Sequence, residues 1–364
     1  MSTPLRILIV DDTALYRKIL ADAFAQIEGV QVAASVASGP LALGRLAAEP
    51  IDLVLLDIFM PEMNGPEVLE RIRRDFPRVV VVMVSGATGA DAAITINALS
   101  NGALDFIPKP QTASFSEGMS RLRGQLQDVV RLVRIRKLVA APQPGQSPAR
   151  PSGPAPQVPA LPRRRTLPPA SLDLLLVGVS TGGPRTLQEI LPAIPADFRL
   201  PVLIVQHMPP IFTRTLAEQL TRMTAIPVAE AAHGDLVRPG RMLIAPGGRH
   251  LELHRNSDGA LCAQLSDTPP VNSCRPAVDV LFQSAARCSL RGVISLILTG
   301  MGDDGANGVA ALKAAVPTWS IAQDEATSVI FGMPQAVIRR ELDDEILPLS
   351  AIAGRIAELA RTRN

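Results

Sequence analysis

Polar residues able to bind metal or phosphate recur where short apolar runs of the chain end. Asp11 and Asp12 follow the run LRILIV, Asp57 ends the run LVLLD, and Ser85 and Lys109 end two later runs. In a parallel sheet the carboxyl ends of the strands share one edge. Crowded carboxylates repel one another and offer the hard oxygen ligands that suit Mg²⁺. The first 110 residues therefore predict an acidic pocket, where a hydroxyl and an ammonium could contact a transferred phosphoryl group.

A serine occupies the corresponding place in the second half of the chain. Ser180 lies in LLLVGVSTGGP, between an apolar run and a predicted helix. Three interpretations of this segment stay open: a nucleophile on a sharp strand-to-helix turn with oxyanion donors nearby, a helix N-cap, or a phosphate-binding turn.

A histidine and a pair of acids favour the nucleophile. His207 follows the run PVLIVQ, and Asp303 and Asp304 follow ISLILTGMG, whereas the other three histidines lie in a loop or flank the short run LEL. A serine is a weak nucleophile unless a base removes its proton and an acid orients that base. The sequence predicts this set, with either Asp303 or Asp304 as the acid.

The elements that would position these residues alternate between strand and helix. Nearly all-apolar strands separated by amphipathic helices predict an α/β fold with two doubly wound parallel sheets. The predicted strands are Leu5–Val10, Ile51–Asp57, Val79–Ser85, Leu104–Ile107, Asp173–Val179, Val202–Gln206, Met242–Ala245, His250–Leu253 and Val293–Leu298. The predicted helices include Leu15–Phe24, Pro66–Arg74, Ser114–Leu138, Gly183–Leu191 and Arg275–Ala286.

A proline-rich stretch separates the two halves. Ten prolines fall between positions 142 and 169, without hydrophobic periodicity, as is typical of an extended, semi-stiff linker. The predicted domains are therefore 1–138, a linker over 139–170, and 171–364. Such a tether would let the first domain dock on the second at high effective concentration.

Composition excludes several classes of function. The net charge is only +2, and the second half has an α/β pattern instead of a short helical module with a basic face, so a nucleic-acid-binding function is not expected. The three cysteines lack metal-ligand spacing. No apolar run approaches the length of a membrane span, and the first residues do not resemble a signal peptide. We expect a cytoplasmic protein without membrane insertion.

The first domain resembles the response-regulator receiver family. The matching segments are VDD at 10–12, LLDIFMPEMNG at 55–65, the SGA turn at 85–87, and DF at 105–106 followed by KP at 109–110. The resemblance implies a flavodoxin-like fold and phosphorylation of Asp57 by a chemotaxis histidine kinase. It implies Mg²⁺ held by Asp11, Asp12, Asp57 and the carbonyl of Phe59, where methylesterase relatives often carry glutamate.

The same resemblance assigns the residues that report phosphorylation. Ser85 and Phe106 would form the switch pair, and Lys109 would neutralise the phosphoryl group. We expect the unphosphorylated receiver to cover the crevice of the second domain, and phosphorylation to release it when Phe106 turns inward.

The second domain resembles the catalytic domain of the chemotaxis protein-glutamate methylesterases. The matching segments are GVSTGGP at 178–184, VQHMPPIFT at 205–213, PGRMLIAPGGRHL at 239–251, NSCRPAVD at 272–279, LTGMGDDGANG at 298–308 and IAQDEATSVIFGMP at 321–334. The resemblance implies catalytic Ser180, His207 and Asp304, with Thr181 and the Met301 amide supporting an oxyanion. It implies hydrolysis of glutamyl methyl esters on chemotaxis receptors, and deamidation of receptor glutamines, without a cofactor for the hydrolysis. Cys274 and Ala277 depart from the residues that relatives often carry.

Overall fold

Two parallel sheets, one in each half of the chain, organise the computed structural model. It describes residues 3–86, 88–109, 115–140 and 167–361. Most of the predicted linker, 139–170, therefore lies outside the described residues. Within these ranges, no helix is both long and apolar enough to cross a bilayer.

The first sheet has five parallel strands in the order β2-β1-β3-β4-β5. Its strands are β1 (Leu5–Val10), β2 (Val30–Val36), β3 (Leu53–Asp57), β4 (Val80–Ser85) and β5 (Asp105–Pro108). Its helices are α1 (Ala14–Phe24), α2 (Gly39–Ala48), α3 (Gly65–Asp75), α4 (Gly89–Ser100) and α5 (Phe115–Ala140). Both β3 and β4 are buried throughout, as expected for central strands covered by helices on two faces. The sequence prediction missed β2, an edge strand whose residues are all partly or fully exposed.

The second sheet has seven parallel strands in the order β14-β13-β12-β6-β7-β9-β8. Its strands are β6 (Leu174–Val179), β7 (Val202–Gln206), β8 (Val228–Glu230), β9 (Met242–Ile244), β12 (Val293–Ile297), β13 (Thr318–Gln323) and β14 (Glu345–Leu347). Its helices are α6 (Gly183–Ile190), α7 (Phe212–Thr221), α8 (Val278–Ala286), α9 (Ala306–Ala315), α10 (Met333–Arg339) and α11 (Leu349–Arg361). The predicted α/β class with two parallel sheets is confirmed.

One element departs from a purely parallel fold. Strands β10 (His250–Arg255) and β11 (Leu261–Ser266) form an antiparallel hairpin, which the sequence prediction did not pair. Its turn contains Gly259 in the left-handed region (φ 79°). The hairpin packs on α8, where Ser284 Oγ accepts a hydrogen bond from the Leu253 amide.

Each sheet has a switch point, where the strand order reverses. In the first sheet it lies between β1 and β3, and in the second sheet it lies between β6 and β12. Crevices at such switch points, outside the carboxyl ends of the strands, are where open α/β sheets bind ligands. Each domain therefore has one such crevice, and the polar residues singled out by the sequence lie at both.

Candidate functional site

The crevice of the first sheet is an acidic pocket closed by one ammonium. Carboxylate oxygens of Asp11, Asp12 and Asp57 lie within 4.8 Å of one another. Lys109 Nζ lies 2.9 Å from an oxygen of Asp11 and 2.9 Å from one of Asp57. Asp11 and Asp57 are buried, while Asp12 is exposed at the rim. The set offers hard oxygen ligands of the kind that Mg²⁺ prefers.

The negative charge of the Asp57 carboxylate is only partly compensated in this pocket. Burial raises its pKa to about 6; the hydrogen bond from Lys109 acts in the opposite direction, and the charge of Asp11 adds to the rise. The Ile58 amide is a further donor to Asp57, at 2.9 Å. A buried carboxylate whose negative charge is only partly compensated favours the binding of a cation.

The side chains of the predicted switch residues have partners other than the acids. Ser85 Oγ is buried, lies 2.7 Å from Thr95 Oγ1 and donates to the Gly86 carbonyl. The Phe106 ring packs on Phe212 of α7, with ring centroids 4.4 Å apart and an interplanar angle of 35°. Phe106 therefore belongs to a contact between the two domains.

In the second domain, Ser180 lies on a tight turn between β6 and α6. Its amide donates to the Thr299 carbonyl, and its own carbonyl accepts from the Gly183 amide. Gly182 has φ 81°, and an added Cβ would lie 2.6 Å from Val329, so glycine is required there. Gly182 is the N-cap residue of α6, so Ser180 does not cap the helix.

His207 and Asp304 are paired at the same edge. His207 Nε2 lies 2.8 Å from Asp304 Oδ2, and Cys274 Sγ lies 3.5 Å from the other ring nitrogen, Nδ1. Burial alone would lower the pKa of His207, but the hydrogen bonds and charges of Asp304 and Cys274 raise it to about 9. Asp303, by contrast, is exposed.

Asp304 is saturated with hydrogen-bond donors. It accepts from His207, from the Val278 and Asp279 amides at 2.7 and 3.1 Å, and from Asn272 Nδ2 at 3.0 Å. Burial alone would raise its pKa, but the hydrogen bond and charge of His207 and the backbone donors hold the pKa below its usual value. The carboxylate is therefore fixed in position and in its charged form.

The same contacts correct a predicted helix boundary. The sequence predicted a helix from Arg275, but α8 begins at Val278 because Asp304 caps its first amides. Asp279, on α8, accepts in turn from the amides of Gly305 and Gly308 at the start of α9. The N-terminus of α8 thus binds Asp304, which precedes α9, and the N-terminus of α9 binds Asp279, which lies on α8.

Asn272 and Asp279 were not singled out from the sequence. Asn272 Nδ2 donates to both Asp279 and Asp304, at 3.0 Å each. Only their place within the segment NSCRPAVD could have pointed to them.

Ser180, His207 and Met301 line one cavity of about 530 Å³. Asp105 and Phe106 of the first domain form its opposite wall. Among the described residues, Ser180 Oγ has no hydrogen-bond partner. Catalytic hydrogen bonds are often long before substrate binds.

The neighbouring Thr181 is engaged by the first domain. Thr181 Oγ1 donates to Asp105 Oδ2 at 3.0 Å. Burial at this contact raises the pKa of Asp105 to about 6, although the bonds from the Phe106 amide and Thr181 oppose the rise. A residue predicted to support an oxyanion is therefore tied to the receiver in this arrangement.

The remaining histidines have structural partners. His250 is buried, accepts from the Ala277 amide and contacts the Pro269 carbonyl. His233 accepts from the Leu265 amide, and His254 lies 3.5 Å from Glu252. The structure brings only His207 of the four to the serine.

Comparison with known proteins identifies the class to which this site belongs. The family model described as CheB methylesterase matches residues 175–356, and that of the response regulator receiver domain matches residues 7–117. The chain belongs to the CheB methylesterase family and carries a receiver domain before the catalytic one. Both resemblances drawn from the sequence are confirmed.

Relatives match over nearly the whole chain. A protein from Desulfotalea psychrophila named protein-glutamate methylesterase/protein-glutamine glutaminase is 37% identical over 361 residues, covering 98% of this chain and 99% of the relative. Protein-glutamate methylesterase/protein-glutamine glutaminase 5 from Anaeromyxobacter dehalogenans is 42% identical over 369 residues, covering 98% of this chain and 97% of the relative. The solved catalytic domain of the Thermotoga maritima CheB methylesterase is 40% identical, with a TM-score of 0.50, covering 52% of this chain and 99% of that domain.

Proposed function

We propose that this chain is a phosphorylation-activated serine esterase of the cytoplasm. It hydrolyses glutamyl methyl esters on chemotaxis receptors, releases methanol, and deamidates receptor glutamines with the same nucleophile. The observation that carries the proposal is the His207–Asp304 pair at 2.8 Å, in one cavity with Ser180. The names of the full-length relatives give the substrate class.

The mechanism follows from which ring nitrogen of His207 is not paired with Asp304. Because Asp304 holds Nε2, His207 Nδ1 accepts the proton of Ser180 as its oxygen attacks the ester carbonyl. The carbonyl π-electrons move to oxygen, where the Met301 amide and Thr181 support the negative charge. Collapse expels the methoxy group, which takes the proton from Nδ1 and leaves as methanol. Water then hydrolyses the acyl-serine by the same route, so hydrolysis needs no cofactor.

In the receiver, Asp57 is the phosphoryl acceptor for a chemotaxis histidine kinase. Asp11, Asp12 and Asp57, with the carbonyl of Phe59, would hold Mg²⁺, which supplies charge compensation when bound. The support is the close approach of three carboxylates, two of them buried. Lys109, already bridging Asp11 and Asp57, is placed to contact the phosphoryl oxygens.

Control follows from the contacts between domains. With Thr181 bonded to Asp105 and Phe106 on Phe212, the receiver covers the crevice that holds Ser180. Phosphorylation draws Ser85 from Thr95 toward the phosphoryl group, and Phe106 turns inward and leaves Phe212. The docked state weakens and the crevice opens to a receptor helix.

Two variants test this control. A fragment starting near Pro169 should release methanol from methylated receptor membranes without a phosphodonor. Full-length Asp57→Asn should stay at the basal rate even with acetyl phosphate, while the wild type is activated. A fragment no faster than the unphosphorylated full-length protein would refute occlusion, and a fragment inactive under all conditions would refute the catalytic assignment.

A further inference from the structure

A second and larger cavity lies between the two domains, beside the crevice of Ser180. It encloses about 820 Å³, within the range of small-molecule sites. The receiver contributes α3, α5 and the loop before β5, while the catalytic domain contributes the start of α6 and the loop before α10. Both walls are needed to form it, so it exists only while the domains are docked.

The cavity wall carries an excess of positive charge. Arg73, Arg131 and Arg136 line it from the receiver, Arg185 lines it from the catalytic domain, and Glu325 is the one carboxylate on the wall. In the part of the chain that the structure describes, the three receiver arginines form no ion pair; Arg185 is paired with Glu189 at 3.1 Å. Desolvation, and then the charge of Arg73, lower the pKa of Arg136.

Outside the described ranges the chain offers no aspartate or glutamate to neutralise these arginines, and within them Asp128 lies near enough to interact with the charge of Arg131. The segments 1–2, 110–114, 141–166 and 362–364, and the single position 87, contain neither aspartate nor glutamate. Four arginines fall in 141–166, so the linker would repel this wall. Glu117, on α5, is too far from Arg131 to neutralise it, because their separation by fourteen residues spans about 21 Å along a helix axis.

Apolar surface lies beside the charges. Ile135 is 42% exposed although it lines the cavity, and Val329 and Phe331 line it from the catalytic side. A ligand that uses both surfaces combines two or more anionic oxygens with an apolar body. Arginine favours phosphate and carboxylate groups because its planar donors bind them in a bidentate manner.

We propose that this cavity binds a small phosphate-bearing ligand of the nucleotide class. The phosphates contact Arg73, Arg131 and Arg136, and the base packs against Ile135 and Val329. A free anionic ligand fits better than an acidic peptide, because a substrate helix requires the open crevice whereas this cavity requires the closed one.

Such a ligand would oppose activation. It contacts both domains and stabilises the docked state, so its binding and the phosphorylation of Asp57 must weaken each other by the same factor. This consequence and the preference for a free ligand over a peptide rest on the proposed occlusion of Ser180, while the arginine-lined cavity itself does not.

The binding test uses ATP on the full-length protein, by calorimetry in EDTA, with inorganic triphosphate and adenosine as its two halves. We expect ATP to bind more tightly than either half. Arg73→Ala with Arg136→Ala should weaken ATP binding at least tenfold, since each loses a charge-assisted contact. Arg71→Ala, on the same helix as Arg73 but outside the cavity, should change it less than twofold. Equal loss in the control, or binding of a glutamate-rich peptide but not of ATP, would overturn the proposal.

The linkage test repeats the titration with Mg²⁺, with and without acetyl phosphate, on wild type and Asp57→Asn. The donor should weaken ATP binding in the wild type alone. Unchanged affinity in a wild type whose methanol release rises normally would refute a bridging ligand and leave the proposed function intact. Arginine-dependent ATP binding in a protein without esterase activity would have the opposite meaning: the ligand site would stand and the proposed function would fail.

Discussion

Asp57 ends β3 and Asp304 lies in the loop after β12, both at the switch points of parallel sheets, yet their environments shift their pKa values in opposite directions. Burial raises the pKa of Asp57 to about 6, with Lys109 and one backbone amide as its donors. The pKa of Asp304 is lowered because His207, Asn272 and the first amides of α8 all donate to it.

The difference lies in the donors that each fold supplies, since both aspartates are buried. The negative charge of Asp57 is only partly compensated by its donors, which suits a carboxylate that binds a cation beside the phosphoryl group it accepts. Asp304 meets the start of a helix, and its charge and orientation are fixed, which suits an acid that only holds an imidazole. A buried aspartate at the carboxyl edge of a parallel sheet can thus serve two chemistries, according to the groups that pack against it.

The largest expected effect separates the two sites. Ser180→Ala should lower methanol release at least about 10³-fold, because nucleophile loss costs several orders of magnitude. Phosphorylation of Asp57 by acetyl phosphate should be unchanged, since only one oxygen of the other domain is removed. Methanol release and phosphoprotein formation are measured on the same preparation. A variant that kept more than about a hundredth of the activity would rule out this nucleophile.

The next test concerns the saturated acid. Asp304→Asn should lower kcat about 10²-fold or more, because an amide cannot stabilise the protonated imidazole. Asp303→Asn is the matched control: its side chain is exposed, so the loss should stay below about tenfold. Steady-state methanol release compares the two, and the reverse ranking would assign the orienting role to Asp303.

Strand ends made much of both sites predictable. Buried parallel strands leave long apolar runs such as β3 and β4, so the polar residue that ends each run is conspicuous in the sequence. The edge strand β2 lacks this signal because none of its residues is buried. The choice of Asp304 over Asp303 came from the family resemblance and could not come from spacing.

The contacts that depend on tertiary packing could not be predicted from the sequence. Asn272 and Asp279 reach Asp304 only because α8 and α9 dock with their N-termini side by side. The bond from Thr181 to Asp105 joins residues 76 positions apart across a linker whose composition says nothing of docking geometry. Such contacts depend on the relative placement of whole elements, which local periodicity does not encode.

A smaller effect is expected at the contact that links the two sites. Phe106→Ala removes the ring that packs on Phe212 and should raise the basal, unphosphorylated rate about tenfold, which corresponds to about 1.4 kcal/mol of lost docking. Asn97→Ala, which removes an exposed hydrogen bond from Gln219, should raise it less than about threefold. Methanol release without a phosphodonor measures both, and equal rates would show that the aromatic contact does not hold the domains.

The smallest expected effect concerns the base that Asp304 orients. A base must be neutral to accept a proton, so a His207 pKa of about 9 leaves about 1% of the enzyme competent at pH 7. The activity should therefore rise with pH until about 9. Cys274 contributes to the raised pKa through its contact with Nδ1, so Cys274→Ala should lower that pKa and move the rising limb toward lower pH, with a several-fold gain in kcat/KM at pH 7.

The fragment starting near Pro169 serves for this measurement, because kcat/KM then reports the free catalytic domain without the docking equilibrium. Loss of the receiver exposes the crevice to water and lessens the desolvation that opposes protonation, so the rising limb of the parent fragment should stay in the alkaline range. Cys262→Ala is the matched control, since this cysteine lies on the hairpin strand β11, away from His207. Ser180→Ala gives the rate of hydroxide hydrolysis to be subtracted. A limb that does not move in Cys274→Ala, or moves equally in Cys262→Ala, would mean that Asp304 alone sets the charge of His207.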